Sequence, residues 1–259
     1  MFAKNGDISI NYQVEGDGKP VVLLHSHLSS LQMWYDGYVE YLSKKYKVLA
    51  IDIRGFGKSS KPHEPDAYED EHLANDILAV LDQESLPDAT VYGYSMGGKV
   101  VYACLKHAPD RITSAIIGGA PPDDMKRREQ LILEQNRTLA MGMESYIEFL
   151  ELRVGKQSEE MKTAILQNDP EAIVALNKHW LNQPGFTDEF LKNITCPVFL
   201  YAGTSDQPIH ERLKHVSTLI PNCLFFEVPG ANHQQAFIQK ELVLPEIDKF
   251  LSTITKDEN

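Results

Sequence analysis

Residues 91–100, "VYGYSMGGKV", set a serine, a lysine and several glycines between two apolar runs, and two chemistries fit that spacing. As G-x-x-x-x-G-K, with Gly93, Gly98 and Lys99, the stretch approaches a loop whose backbone N–H groups and lysine cradle phosphates. As G-x-S-x-G, with Ser95 between Gly93 and Gly97, it is a tight strand-to-helix turn that presents a serine hydroxyl for nucleophilic attack. Each reading demands partners elsewhere in the chain.

The phosphate reading needs a hydroxyl after the lysine to ligate Mg²⁺, and Val100 stands there. It also needs an aspartate at the end of a further strand. "VLAID" supplies Asp52, but "AIIGG" after the loop ends without one. The serine reading needs a histidine to take the proton and a carboxylate to orient the imidazole, in the chain order Ser, acid, His. "YAGTSDQP" places Asp206 just past an apolar run, and "PGANHQQAF" places His233 past the next. Ser95, Asp206 and His233 are therefore the candidate catalytic residues. Asp123 and Asp124, after "AIIGG", are rival acids, with the capping of the following helix as their alternative role. His25-x-His27 has the spacing of a metal pair but no third ligand follows, so neither a metal nor a cofactor is expected.

These residues need a scaffold that gathers loops. "ISINYQV" (8–14) alternates with period two, and short apolar runs recur at 21–24, 47–52, 89–94, 112–119, 197–203 and 224–230. Helical patterns fall between them at 31–46, 68–86, 96–108, near 210–220 and near 235–252. Strands alternating with helices predict a mostly parallel sheet covered on both faces. From 121 to 185 the rhythm stops. That stretch carries only helical patterns, broken at Gly142, Gly155, Pro170 and Pro184. The expected organisation is an α/β core formed by 1–120 and 186–259, interrupted by a helical cap at 121–185.

Composition narrows the partners. The 259 residues carry a formal net charge of −12, which argues against nucleic acid or an anionic membrane surface as the partner. No apolar stretch approaches the length of a membrane span, and no signal-peptide pattern is visible. Cys104, Cys196 and Cys223 are widely spaced, so a cytoplasmic protein with buried thiols is expected. The oligomeric state is not legible.

Together with "GYSMGG", the stretches "LLHSH" (23–27), "DIRGFGKSS" (52–60), "YAGTSDQP" and "GANH" resemble the α/β-hydrolase family over nearly the whole chain. The resemblance implies an eight-stranded, mostly parallel sheet with a helical cap inserted after the sixth strand. It also implies an oxyanion hole made by two backbone N–H groups, which by position belong to His27 and Met96. Ser26 stands where the family usually has glycine. "HSHLSSLQMW" is similar to the 3-oxoadipate enol-lactonase group, which points toward a small carboxylic ester or lactone as substrate. Alternatives on the same three residues are C–C bond cleavage and perhydrolysis, and a non-catalytic ligand receptor is the alternative of another class. The C–C enzymes resembling this family usually carry a glycine-rich stretch that "HSHLSS" lacks. Trp34, Met125, Met143 and Trp180 are the substrate-binding candidates. The acidic balance predicts a preference for neutral over anionic substrates, unless Lys126, Arg127 or Arg128 reverses the field locally.

Overall fold

A computed structural model describes residues 1–254 apart from Asp124, and of Arg127 and Val154 the backbone only. The rival acid Asp124 and the side chain of Arg127 thus lie outside the described residues. The chain opens with the antiparallel strands β1 (Phe2–Asn5) and β2 (Ile8–Glu15), then β3 (Lys19–Leu24). A 3-10 turn at Leu31–Tyr35 and the short helix α1 (Tyr38–Leu42) precede β4 (Tyr46–Ile51). The pattern over 31–46 suggests one helix, but Gly37, at φ 88°, divides it. Next come α2 (Asp70–Gln83), β5 (Ala89–Tyr94), α3 (Met96–His107) and β6 (Ile112–Gly118).

Among the described residues, helices alone lie between β6 and the next strand: α4 (Glu129–Leu139), α5 (Met143–Val154), α6 (Glu159–Leu166), α7 (Pro170–Asn182) and α8 (Asp188–Lys192). Their breaks have local causes. Gly142 (φ 110°) and Gly155 (φ 89°) adopt backbone conformations that favour glycine at either end of α5. Pro170 opens α7 at a position where no N–H is needed, and the Asp169 carboxylate accepts from the N–H groups of Glu171 and Ala172. The α/β alternation then resumes with β7 (Val198–Gly203), α9 (Ile209–Ser217), β8 (Cys223–Val228), α10 (His233–Ile238) and α11 (Lys240–Ile254).

The eight strands form one sheet in the order β1-β2-β4-β3-β5-β6-β7-β8. Only the β1/β2 and β2/β4 pairs are antiparallel. Successive side chains of a strand point to opposite faces, so both faces of a covered sheet must be apolar. In β3, Val22 and Leu24 join the core under α2 and α3, while Val21 and Leu23 join the core that includes residues of α1 and α11. The parallel strands all end on one edge, so the loops after β3, β4, β5, β6, β7 and β8 converge there. In open α/β sheets this edge is where ligands bind.

One buried ion pair braces the loop after β4. Arg54 donates from Nε and Nη2 to both carboxylate oxygens of Asp76 on α2, at 2.8 and 2.6 Å, and from Nη1 to the Ala67 carbonyl. Both side chains are only 4% exposed. Removing one partner strands the other charge away from water. Asp76→Ala is therefore expected to lower the free energy of unfolding by about 3–5 kcal/mol. Urea denaturation measures this, and a loss below about 1 kcal/mol would contradict the argument.

The cysteines form no disulfide: Cys104 is buried, and Cys196 and Cys223 are half-buried. Burial pushes the Cys104 thiol up to about 12, which keeps it protonated and unreactive. Among the described residues no helix is long and apolar enough to cross a membrane.

Candidate active site

β5 ends at Tyr94 and α3 begins at Met96, so Ser95 alone makes the turn between them. Its φ of 53° and ψ of −111° lie outside the regions an L-residue prefers. Such a conformation costs on the order of 1–3 kcal/mol and persists only where neighbours enforce it. Here the Ser95 N–H donates to the Gly118 carbonyl at 2.8 Å, and the Gly98 N–H donates to the Ser95 carbonyl at 3.0 Å. The glycines answer a packing demand. A Cβ at Gly97 would stand 2.1 Å from the Leu24 carbonyl oxygen, and one at Gly93 would stand 2.2 Å from the Gly97 backbone. No larger side chain allows α3 to start so close to β3 and β5. Lys99 does not complete a phosphate cradle: its amine donates to the Asp123 carbonyl at 2.9 Å. Asp52, the aspartate a phosphate site would need, instead accepts from the N–H groups of Leu31 and Lys58 and from the Asn11 amide.

His233 is the first residue of α10. Asn232 caps that helix by accepting from the Gln235 N–H, and the Gln235 side chain accepts from the Asn232 N–H. This reciprocal box fixes where the imidazole begins. Tyr94, beside the serine, donates its hydroxyl to the His233 carbonyl, which ties the two loops together. His233 Nε2 lies 3.0 Å from Ser95 Oγ, and Nδ1 lies 2.7 Å from Asp206 Oδ2. Asp206 follows β7 and is 8% exposed. A carboxylate only accepts, so Nδ1 carries the imidazole proton and Nε2 faces the serine as an acceptor. Asp123 is engaged elsewhere, in an ion pair with Arg212 on α9.

The loop after β3 forms the opposite wall. His25 Nε2 accepts from the Ile53 N–H at 3.0 Å and its Nδ1 meets the Ser26 carbonyl at 2.8 Å, so both ring nitrogens serve the backbone. Ser26 does not adopt a left-handed φ; that conformation falls to Leu28, at φ 61°. The Ser26 N–H and hydroxyl instead point at the Met33 sulfur, 3.1 and 3.6 Å away. Serine is therefore accommodated without the freedom that glycine has. The His27 ring packs between Phe56 and Trp180. Burial pushes it down to about 4, so it is uncharged near neutral pH.

Ser95, His233, His27 and Met96 all line one cleft of about 360 Å³. Met96 opens α3, so its N–H has no carbonyl one turn back to donate to. Of the candidate substrate-binding residues, Met125 and Trp180 line this cleft. Trp34 and Met143 do not. Trp34 is fully buried on the far face of the sheet, where its ring meets Tyr38, Tyr92 and Phe237. Met143 packs inside the cap with Tyr146 and Ile147 and is 7% exposed. An apolar side chain of either kind suits a core as well as a pocket, and only the face it occupies decides. The cleft also holds Lys99, the lysine of the phosphate-loop reading, Arg128, the end of a basic run, and Arg212, which nothing in the sequence marks out. Lys126 faces a separate groove beside Glu129 and Glu134.

Comparison with known proteins fits this architecture. The chain belongs to the alpha/beta hydrolase fold family, whose model matches residues 19–171. It is 32% identical to 3-oxoadipate enol-lactonase 2 of Acinetobacter baylyi over 139 residues, which is 51% of each chain. The chain thus spans about half the length of that relative. It is 25% identical to the non-heme chloroperoxidase of Streptomyces lividans over 92% of this chain and 93% of that protein. Among solved structures, an esterase of a Rhodococcus species superposes with a TM-score of 0.81 at 26% identity, covering 98% of each chain. These relatives agree on the fold and differ in the activity their names give.

Proposed function

We propose that this protein is a serine hydrolase that cleaves a small carboxylic ester or lactone through an acyl-enzyme. The observation that carries this reading is the unbroken line from Asp206 through His233 to Ser95, with contacts of 2.7 and 3.0 Å. His233 Nε2 takes the hydroxyl proton as Ser95 Oγ attacks the carbonyl carbon. Asp206 holds the proton on Nδ1 and supports the imidazolium that forms. The N–H groups of His27 and Met96 receive the developing oxyanion, a contribution of about 3 kcal/mol per donor. The imidazolium then protonates the leaving alkoxide. Water, deprotonated by the same nitrogen, releases the acid and restores Ser95. Residues 121–185 serve as the cap, with Met125 and Trp180 shaping an apolar roof over the serine. No metal or cofactor enters this cycle.

A fluorophosphonate probe tests the reading directly. Covalent labelling at Ser95, located by peptide mass spectrometry, together with turnover of p-nitrophenyl esters of graded chain length, is the expected result. An unlabelled Ser95 in folded protein would point to the non-catalytic alternative. The chloroperoxidase relative favours one variant of the mechanism, in which hydrogen peroxide replaces water and the acyl-enzyme yields a peracid. Peracid formation faster than ester hydrolysis at millimolar peroxide would select that variant.

A further inference from the structure

The lining of the cleft runs against the charge of the chain. The protein carries −12 overall, yet Arg128 and Arg212 both face the space in front of Ser95. Among the described residues, Asp123 is the carboxylate that lines the cleft with them, and it is engaged by Arg212. The cations Lys99, Arg128 and Arg212 outnumber that carboxylate among the described lining residues, and Arg128 makes no ion pair with a described residue. Arginine presents a planar fork that matches a carboxylate better than any neutral group.

Building on the hydrolase reading, we propose that Arg212 and Arg128 form a carboxylate subsite, and that the substrate's acyl group carries a second, remote carboxylate. Half-esters of short dicarboxylic acids are the chemical class this describes. The acyl carbonyl sits at Ser95 and the charged end lies toward Arg212, beside Pro208 and Ile209. The expectation of a neutral substrate follows from net charge. Local field, not net charge, governs a ligand a few ångströms from two guanidinium groups.

The test compares monomethyl glutarate with methyl butyrate, by kcat/KM at low and high salt. Wild-type protein is expected to favour the half-ester by at least about tenfold, the scale of one charge-assisted hydrogen bond, with the advantage shrinking as salt rises. Arg212→Gln should reduce that ratio by about tenfold, chiefly through KM. Because Arg212→Gln also releases Asp123, Arg128→Gln on the exposed rim provides a second variant, expected to reduce the ratio severalfold. Equal rates for the two esters, or a ratio that neither variant moves, would overturn the subsite. Calorimetry on Ser95→Ala separates this claim from the hydrolase reading. A Kd for monomethyl glutarate at least about tenfold below that for methyl butyrate supports the subsite even if neither ester is turned over. Equal binding overturns it.

Discussion

Ser95→Ala is expected to lower kcat for an activated ester by at least about 10³-fold, with little change in KM. The hydroxyl is the only group lost. The turn is held by the Ser95 N–H to the Gly118 carbonyl and by the Gly98 N–H to the Ser95 carbonyl, neither of which involves the side chain. Alanine inherits the same strained φ of 53°, so the fold and the cleft should survive. Residual activity then reflects only what the oxyanion donors and binding achieve without a nucleophile. The far-ultraviolet spectrum and the thermal midpoint serve as controls for folding. More than a tenth of wild-type turnover in a folded variant would mean that Ser95 is not the attacking group.

The parts of this site that were legible from sequence share a physical reason. Gly93 and Gly97 are constrained by backbone clearances near 2 Å, so few other residues could flank Ser95 in the turn. Asp206 and His233 follow strands whose parallel arrangement delivers their loops to one edge. The cap was visible because Gly142, Gly155 and Pro170 punctuate helices through conformation alone. The asparagine box around His233 was equally open to reading in "NHQQ".

What escaped depends on three dimensions. The helical pattern over 31–46 hides the break at Gly37, because a lone glycine inside an amphipathic pattern is often tolerated. Trp34 and Met143 have the composition of pocket residues, but their elements turn them into cores. Arg212 looks like one charge among several on an amphipathic helix. Only the fold shows that α9, which begins three residues past Asp206, turns it toward Asp123 and the cleft. Net charge is a sum over the surface, and it carries no information about the sign of one concave wall.

Asp206→Asn should reduce kcat on the order of 10³–10⁴-fold while leaving KM and stability close to wild type. The substitution keeps the shape of a side chain that is 8% exposed and removes its charge. Its consequence falls on the imidazole. With a carboxylate 2.7 Å from Nδ1, that nitrogen must carry the proton, and Nε2 is left to accept from Ser95. An amide can turn its NH₂ toward Nδ1, which then becomes the acceptor and moves the ring proton to Nε2. A protonated Nε2 cannot remove the serine proton. The imidazolium of the transition state also loses its compensating charge. Asp123→Asn provides the contrast, because that carboxylate pairs with Arg212, whereas the carboxylate bonded to His233 is that of Asp206. Its effect on a neutral ester should stay within about tenfold, the scale of a half-exposed ion pair. If the order of the two effects is reversed, with Asp123→Asn the more damaging in folded protein, the acid that orients His233 during turnover comes from the loop after β6. The contact with Asp206 would then be a resting arrangement and not the working one.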